Sequence, residues 1–460
     1  MCGPCTNLQR LLPQAGKIFL IAFFVGLMAG CQSLPPAPLN TPMPLETGTT
    51  TPSAIALPTR LTATLTPPLP TLGTPFPPFA ELPIGEISYA LPLTVQQVSE
   101  PSAQLLFELD RAATGDLLLR DVNHGSNFVQ VIPISANITY QQVYLGPLEP
   151  DSEYEAVLGL HTPDGSYAQP AFLGEAWGSL RFHNQPTAEP LRVGVIGDSG
   201  FGESVTAKLV KQMAGEGLDF VIHTGDVVYN AGENTSPAEA FALKYFQPFA
   251  PLLHQLPIYA VPGNHEYAQD ARIDGVPYYY HVFPPLLDSD QVDTYPSERR
   301  QYYAIVYQNI QFIFLDSQVF FGEKGKTEQE EWLDQRLQDD EFTYSVVIMH
   351  VPLFTSSIIH PKDSQPVRQA WHDKFSGAGV PLVLSGHSHN YERLVVDGVT
   401  YVVTGGGSSQ LYPAFIVDPL SQAFSWSSHF VLLEFYEDQI KILAIDKNGK
   451  ILDQAQVLLP

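Results

Sequence analysis

The chain is poor in three things, and each shortage closes off a class of protein. Cysteine is the first: only Cys2, Cys5 and Cys31 occur in 460 residues, so the sequence after Cys31 has no thiol and no disulfide framework can staple it. Basic charge is the second, with 23 lysines and arginines against 48 aspartates and glutamates and a formal net charge of −25. Such a surface repels phosphodiester backbones, so no nucleic acid partner is expected, and the acidity reads simply as solubility. Long apolar sequence is the third. One run, IFLIAFFVGLMAG from Ile18 to Gly30, stands out, and it is too short for a comfortable membrane span.

Arg10 and Lys17 ahead of that run give residues 1–30 the layout of a secretory signal. Met28-Ala29-Gly30-Cys31 comes next, two small residues and then a cysteine, which resembles the lipobox of bacterial lipoproteins. The resemblance implies cleavage before Cys31, acylation of Cys31, and an exported protein anchored to a membrane on the cell surface or in the periplasm. Loss of Arg10 and Lys17 leaves the mature chain about two units more negative. Cys2-Gly3-Pro4-Cys5 has the spacing of a redox pair, but it lies in the segment expected to be removed and no strand and helix pattern surrounds it. Residues 31–80 are dominated by proline and threonine, with Glu46 and Arg60 the only charges from Pro35 to Ala80. That composition cannot bury a core, so it predicts a disordered, extended tether.

From 81 to 187 the texture is all-β: QLLFELD, DLLLRDV, FVQVIPI and YEAVLGL alternate apolar and polar residues between turn clusters. The run LGPLEPDSEYEAVLGL resembles the corner before a late strand of a fibronectin type III module, with Tyr154 as the corner tyrosine. The resemblance implies a β-sandwich without chemistry of its own, a spacer or a support for the next domain.

After Pro190 apolar β-branched runs alternate with helical patterns, the signature of parallel strands joined by crossover helices. SVTAKLVKQMAGEG and TEQEEWLDQRLQ read as helices, the second opened by a Thr327 and Glu330 capping box. Five runs end in polar clusters: LRVGVIGDSG at Asp198, LDFVIHTGDVVY at Asp226, LPIYAVPGNHE at Asn264 and His265, YSVVIMHVP at His350, and VPLVLSGHSHN at His387 and His389. Ligands sit at the carboxyl ends of strands in open α/β sheets, so the five clusters should converge on one crevice. The domain is expected over 190–415. Residues 416–460, with Asn448-Gly449 as a hairpin signal, are expected to add strands that complete it.

Each cluster alone is weak evidence, but the ordered set GDSG, GDVVY, GNHE, MH and GHSH resembles the calcineurin-like metallophosphoesterases over roughly residues 190 to 410. That implies an α/β sandwich of two β-sheets flanked by helices. The physics runs alongside, since aspartates, an asparagine and histidines converging in a dry cleft repel or go unsatisfied without cations. Imidazole with carboxylate suits first-row ions, two of which, about 3.5 to 4 Å apart, share one carboxylate, for which Asp226 is the natural bridge.

Tyr229 selects the ions, because a phenol with a reference pKa near 10 ligates as phenolate at neutral pH only on a strong Lewis acid. Asp198, Asp226, Tyr229 and His389 suit Fe(III), whereas Asn264, His350 and His387 beside the shared Asp226 suit a divalent ion. The competing reading of Tyr229 is a packing aromatic. Its spacing from Asp226, together with GHSHNYER at 386–393, is similar to the purple acid phosphatases, a family that places a fibronectin-like module before the catalytic domain in its plant-type arrangement. The resemblance implies a dinuclear centre of Fe(III) with Zn, Fe or Mn, a metal-bound hydroxide as nucleophile, and phosphate monoesters as small substrates. It also implies a catalytic role for His265 on the phosphate or the leaving group. His360 is a looser catalytic candidate that a surface-loop reading fits equally, and Glu266, Tyr391 and Arg393 read as supports. The stretch from Arg272 to Arg300 matches nothing in the family, which leaves specificity open. A phosphodiesterase or nucleotidase of the same superfamily is the alternative function, a non-catalytic surface binding protein is the third, and no protein partner is identified.

Overall fold

The computed structural model describes residues 59–64, 78–99, 101–123, 129–149, 151–184, 189–229, 235–286 and 301–459. The signal segment, Cys2, Cys5, Cys31, most of the tether and residues 287–300 lie outside the described residues.

The N-terminal part of the described chain is strand-rich β structure. Strands Thr59–Thr64, Tyr140–Gly146, Ser102–Leu109, Ile84–Ser99, Tyr167–Phe172, Glu153–His161, Gly115–Asp121 and Val129–Pro133 neighbour one another in that order. Ile84–Ser99 is shared: Ile84 and Ser88 pair with Tyr167–Phe172, and from Tyr89 onward it pairs with Ser102–Leu109 through several register shifts. Bulges of this kind bend a strand so that it serves two faces. One sequence expectation fails here. Thr59–Thr64, assigned to the disordered tether, is a strand parallel to Tyr140–Gly146. Composition averaged over the proline-rich segment hides this proline-free stretch, whose backbone is free to pair along an open edge.

Tyr154, read from the sequence as a corner tyrosine, has its Oη accepting the Glu149 N–H at 2.8 Å. The strand-rich part packs directly on the residues that follow it. Trp177 stands edge-on to His254 at 4.5 Å, Arg181 N–H donates to His254 O at 2.7 Å, and Tyr307 Oη donates to Val98 O at 3.1 Å.

Two sheets make the second domain. The first has six strands in the order Ile258–Ala260, Phe220–His223, Leu191–Ile196, His429–Phe435, Gln439–Asp446 and Ile451–Leu458. Its first three are parallel, and the C-terminal hairpin, turning at Gly449 with φ +81°, supplies the antiparallel remainder. The second has seven, in the order Tyr303–Tyr307, Ile310–Phe314, Tyr344–Ile348, Leu382–Ser385, Val399–Thr404, Tyr391–Val396 and Ser421–Ser425. The sheets face each other across Val193, Val195, Phe220, Phe312, Phe314 and Leu384, all fully buried. Near-continuous apolar strands result, because each central strand is covered on both faces.

Helices Ser204–Met213 and Gln247–Leu253 cover one outer face, and Lys326–Leu337 and Ser364–Gly377 the other. The expected capping box is not formed. Gly325, at φ +94°, is the N-cap residue and makes no side-chain cap, and Thr327 and Glu330 fall inside the helix. A glycine adopts that entry angle without a Cβ clash, so the helix starts earlier than a threonine cap would set it. Among the described residues no helix is long and apolar enough to cross a membrane.

Tyr154→Phe keeps the ring and removes the corner hydrogen bond, so it should lower unfolding free energy by about 1 kcal/mol in a denaturant titration. An unchanged midpoint would mean the corner bond does not contribute.

Candidate metal centre

Both sheets direct the carboxyl ends of parallel strands to one crevice. Asp198, Asp226 and Asn264 come after strands Leu191–Ile196, Phe220–His223 and Ile258–Ala260, while His350 and the His387 and His389 pair come after Tyr344–Ile348 and Leu382–Ser385. The chain turns sharply to present them: Asp198, Asp226 and His387 sit at φ +55°, +53° and +64°. Such left-handed residues cost of order 1–3 kcal/mol each and persist where their surroundings hold them. Two glycines show how close the backbones come. A Cβ on Gly263 would lie 2.2 Å from Asp226 Oδ1, and one on Gly386 would lie 2.5 Å from Asp198 Oδ2.

Asp198, Asp226, Tyr229 and His389 form a first group, all buried. Tyr229 Oη is 2.9 Å from both Asp198 Oδ1 and His389 Nε2, and those two atoms are 3.3 Å apart. His389 Nδ1–H donates to Gln410 O at 2.5 Å, which in the neutral ring leaves Nε2 as a lone pair facing the others. One phenol proton cannot satisfy a carboxylate oxygen and an imidazole nitrogen together. A cation at their common focus can, so the donor set fits a metal.

The second group is Asn264, His350 and His387 beside Asp226. Asn264 Oδ1 is 3.2 Å from His350 Nε2 and 3.0 Å from His387 Nδ1, and His350 Nε2 is 3.4 Å from Asp226 Oδ1. The far ring nitrogens are engaged: His350 Nδ1 donates to Thr224 O at 2.8 Å, and His387 Nε2 donates to Asp363 Oδ2 at 3.1 Å. Two neutral imidazole lone pairs therefore face one carbonyl oxygen. That arrangement also requires a shared cation or extra protons.

The electrostatics show how protons substitute. Burial, with the Asp198 and Asp226 charges adding to it, pushes the Tyr229 phenol well above its ordinary range. Burial acts to raise Asp226, but His350 overcomes it and holds the carboxyl below its usual range. Burial acts downward on His350, and Asp226 more than reverses it, to about 10. On His389 burial is likewise outweighed by the Asp198 contact, which raises it. Cations held by these residues would displace those protons.

The supports differ in part from expectation. Glu266 accepts N–H groups from Asp226 at 2.9 Å, Val228 at 3.2 Å and Gly263 at 2.7 Å, tying two ligand-bearing turns together. Tyr391 and Arg393, expected to support the metal ligands, both donate to Asp453 Oδ2 at 2.7 Å and clamp the C-terminal strand instead. The reason is strand alternation combined with the antiparallel strand pair: motif adjacency does not say which way a side chain points. Phe201 stacks on Tyr229 at 3.9 Å between centroids and 14° between planes, and Lys244 Nζ donates to Tyr229 O at 2.7 Å. His265 is half-buried, its ring 4.3 Å from that of Tyr229 and its N–H 3.0 Å from Asp226 Oδ1.

His360 lies on a loop at φ +55°, its side chain half exposed, 3.5 Å from Asp363 and 5.1 Å ring to ring from His387. Asp363 is a residue that sequence reasoning missed. It is the carboxylate that orients His387, and no spacing rule locates it because it reaches the site from a loop. Tyr412, stacked on His389 at 4.0 Å and 6°, was missed for the same reason.

Residues 191–391 match the family described as calcineurin-like phosphoesterase. Purple acid phosphatase 15 of Arabidopsis thaliana is 24% identical over 257 residues, 49% of this chain and 47% of that protein. Purple acid phosphatase 23 of the same plant is 24% identical over 335 residues, 64% of this chain and 69% of that protein. The chain thus spans about half the length of the first and more of the second. A purple acid phosphatase from yellow lupin (Lupinus luteus) seeds shares the fold, with a TM-score of 0.62 at 17% identity, covering 80% of this chain and 74% of that one. All seven candidate ligands, from Asp198 to His389, therefore lie inside the 191–391 match to calcineurin-like phosphoesterases, and purple acid phosphatases are among the proteins this chain resembles at low identity.

Proposed function

We propose that this protein is an exported phosphatase that hydrolyses phosphate monoesters at an Fe(III) and M(II) pair, M being Zn, Fe or Mn. The observation that carries the reading is Tyr229 Oη, in contact at 2.9 Å with both Asp198 and His389. Asp198, Tyr229, His389 and Asp226 would hold the trivalent ion, and Asn264, His350, His387 and Asp226 the divalent one. When bound, the pair supplies Lewis acidity that activates water and neutralises charge on the phosphoryl group. The side chains do the rest. His265 at the crevice mouth donates to a phosphate oxygen and delivers a proton to the leaving oxygen. His360, held near Asp363, borders the same opening. Glu266 keeps the Asp226 and Asn264 turns in register.

The strand-rich N-terminal domain is fibronectin type III-like in this proposal, supported by the Tyr154 corner. Cys31 carries the lipid that attaches the protein to a membrane.

Three outcomes test this. Protein loaded with Fe and Zn should hydrolyse monoesters in preference to diesters and nucleotides, and when oxidised it should show a visible charge-transfer band that Tyr229→Phe abolishes. A colourless iron-loaded wild type, or a band that survives the substitution, would move the chain to a two-divalent-ion phosphoesterase. His350→Ala and Asn264→Ala should each empty the divalent position while retaining most of the iron, read by metal analysis; equal loss of both metals would refute the ligand partition. Mature protein from a bacterial host should begin at an acylated Cys31 by mass spectrometry, and an unmodified Cys31 with residues upstream of it would refute the anchor.

A further inference from the structure

Residues 405–417 carry no charged side chain, in a chain of net charge −25. The segment is tied to the metal centre at its root. Gln410 O accepts a hydrogen bond from His389 Nδ1–H, Tyr412 N–H donates to His389 O at 2.8 Å, and the Tyr412 ring lies flat on the His389 imidazole. It is tied again at its return, where Asp418 N–H donates to Ser356 Oγ at 2.8 Å. Ser356 belongs to the loop that carries His360 and Asp363, so both anchors belong to the walls of one crevice.

Between the anchors the chain exposes Phe415, 75% accessible, Ile416, 83% accessible, and Val417. Ile358 is exposed on the other loop. Scattered apolar residues on a surface are ordinary, but consecutive ones at a functional rim mark contact with something apolar. Phe415 Cα is within about 11 Å of Tyr412 Cα even if the chain between them is fully extended. A ligand whose phosphate occupies the crevice can therefore lay its other end on this loop.

We propose that Phe415, Ile416 and Ile358 form a leaving-group subsite for phosphate monoesters of apolar alcohols, amphiphilic substrates whose head enters the crevice and whose tail lies along the loop. The proposal rests on the phosphatase reading and names its substrate class. Continuity with the crevice favours this occupant. The loop is rooted on His389, so a ligand whose phosphate head is neutralised by cations in the crevice would bring an uncharged tail to the loop. A second copy, by contrast, would set another −25 against the first, and an anionic bilayer would present many uncompensated charges.

The test uses the full chain loaded with Fe and Zn, and n-alkyl phosphates from ethyl to octyl below micelle-forming concentrations. The octyl to ethyl ratio of kcat/KM should be about tenfold or more, from partial burial of the added methylenes. Phe415→Ser combined with Ile416→Ser should bring that ratio close to one, and Phe415→Leu should retain most of it. A flat wild-type series in which every ester is hydrolysed, or a ratio that persists in the double variant, overturns the subsite and leaves the phosphatase reading standing. A wild type that binds phosphatidylcholine vesicles through these residues, with a flat ester series, overturns it in favour of a bilayer contact. Hydrolysis of no ester at all overturns the phosphatase reading beneath it.

Discussion

Asp198 and Asp226 are buried within reach of one point, and two carboxylates in a dry crevice are tolerable only if positive charge is delivered to them. Protons on His350 and His389 deliver some, and a pair of cations delivers it better because cations also satisfy the lone pairs of Asn264, His387 and the tyrosine oxygen. The surrounding backbone is shaped by this demand. The left-handed turns at Asp198, Asp226 and His387 aim side chains inward, and Gly263 and Gly386 let neighbouring turns close on the carboxylates. Glu266 then joins the Asp226 turn to the Asn264 turn through three backbone hydrogen bonds.

Rigidity reaches the crevice from the N-terminal domain. Val98 N–H donates to Tyr259 Oη at 3.3 Å, and Tyr259 lies on the strand Ile258–Ala260 that leads to Asn264. Ala260 O accepts hydroxyls from Tyr279 at 2.8 Å and Tyr303 at 2.9 Å, which clamps the end of the same strand. The β domain thus braces the strand that leads to one of the candidate divalent-ion ligands. On the other side of the crevice, Phe201 and Lys244 hold Tyr229 by its ring and its carbonyl. The orientation of the aromatic is thus fixed by its neighbours.

The parts of the fold legible in the sequence were those where periodicity and position coincide. Strand ends such as VIGDSG and VLSGHSHN mark the turn and the ligand in adjacent residues, so all seven candidate ligands are readable without their geometry. Thr59–Thr64 was illegible because its pairing with Tyr140–Gly146 is a tertiary choice made across distant sequence. Tyr391 and Arg393 stand in the motif yet serve Asp453, a residue on the last strand.

The sequence by itself determined the residue types and order of the candidate ligands, the acidic balance of −25 and the alternation of β and helical texture, because these depend on local chemistry and composition alone. Tertiary structure decided the rest. That Asp363 orients His387, that Tyr412 covers His389 and that Phe415 and Ile416 stand exposed on a loop rooted at the candidate metal centre all result from loops meeting in space. Loops carry no periodicity, and their partners are fixed only once two sheets have packed and brought their strand ends to one edge.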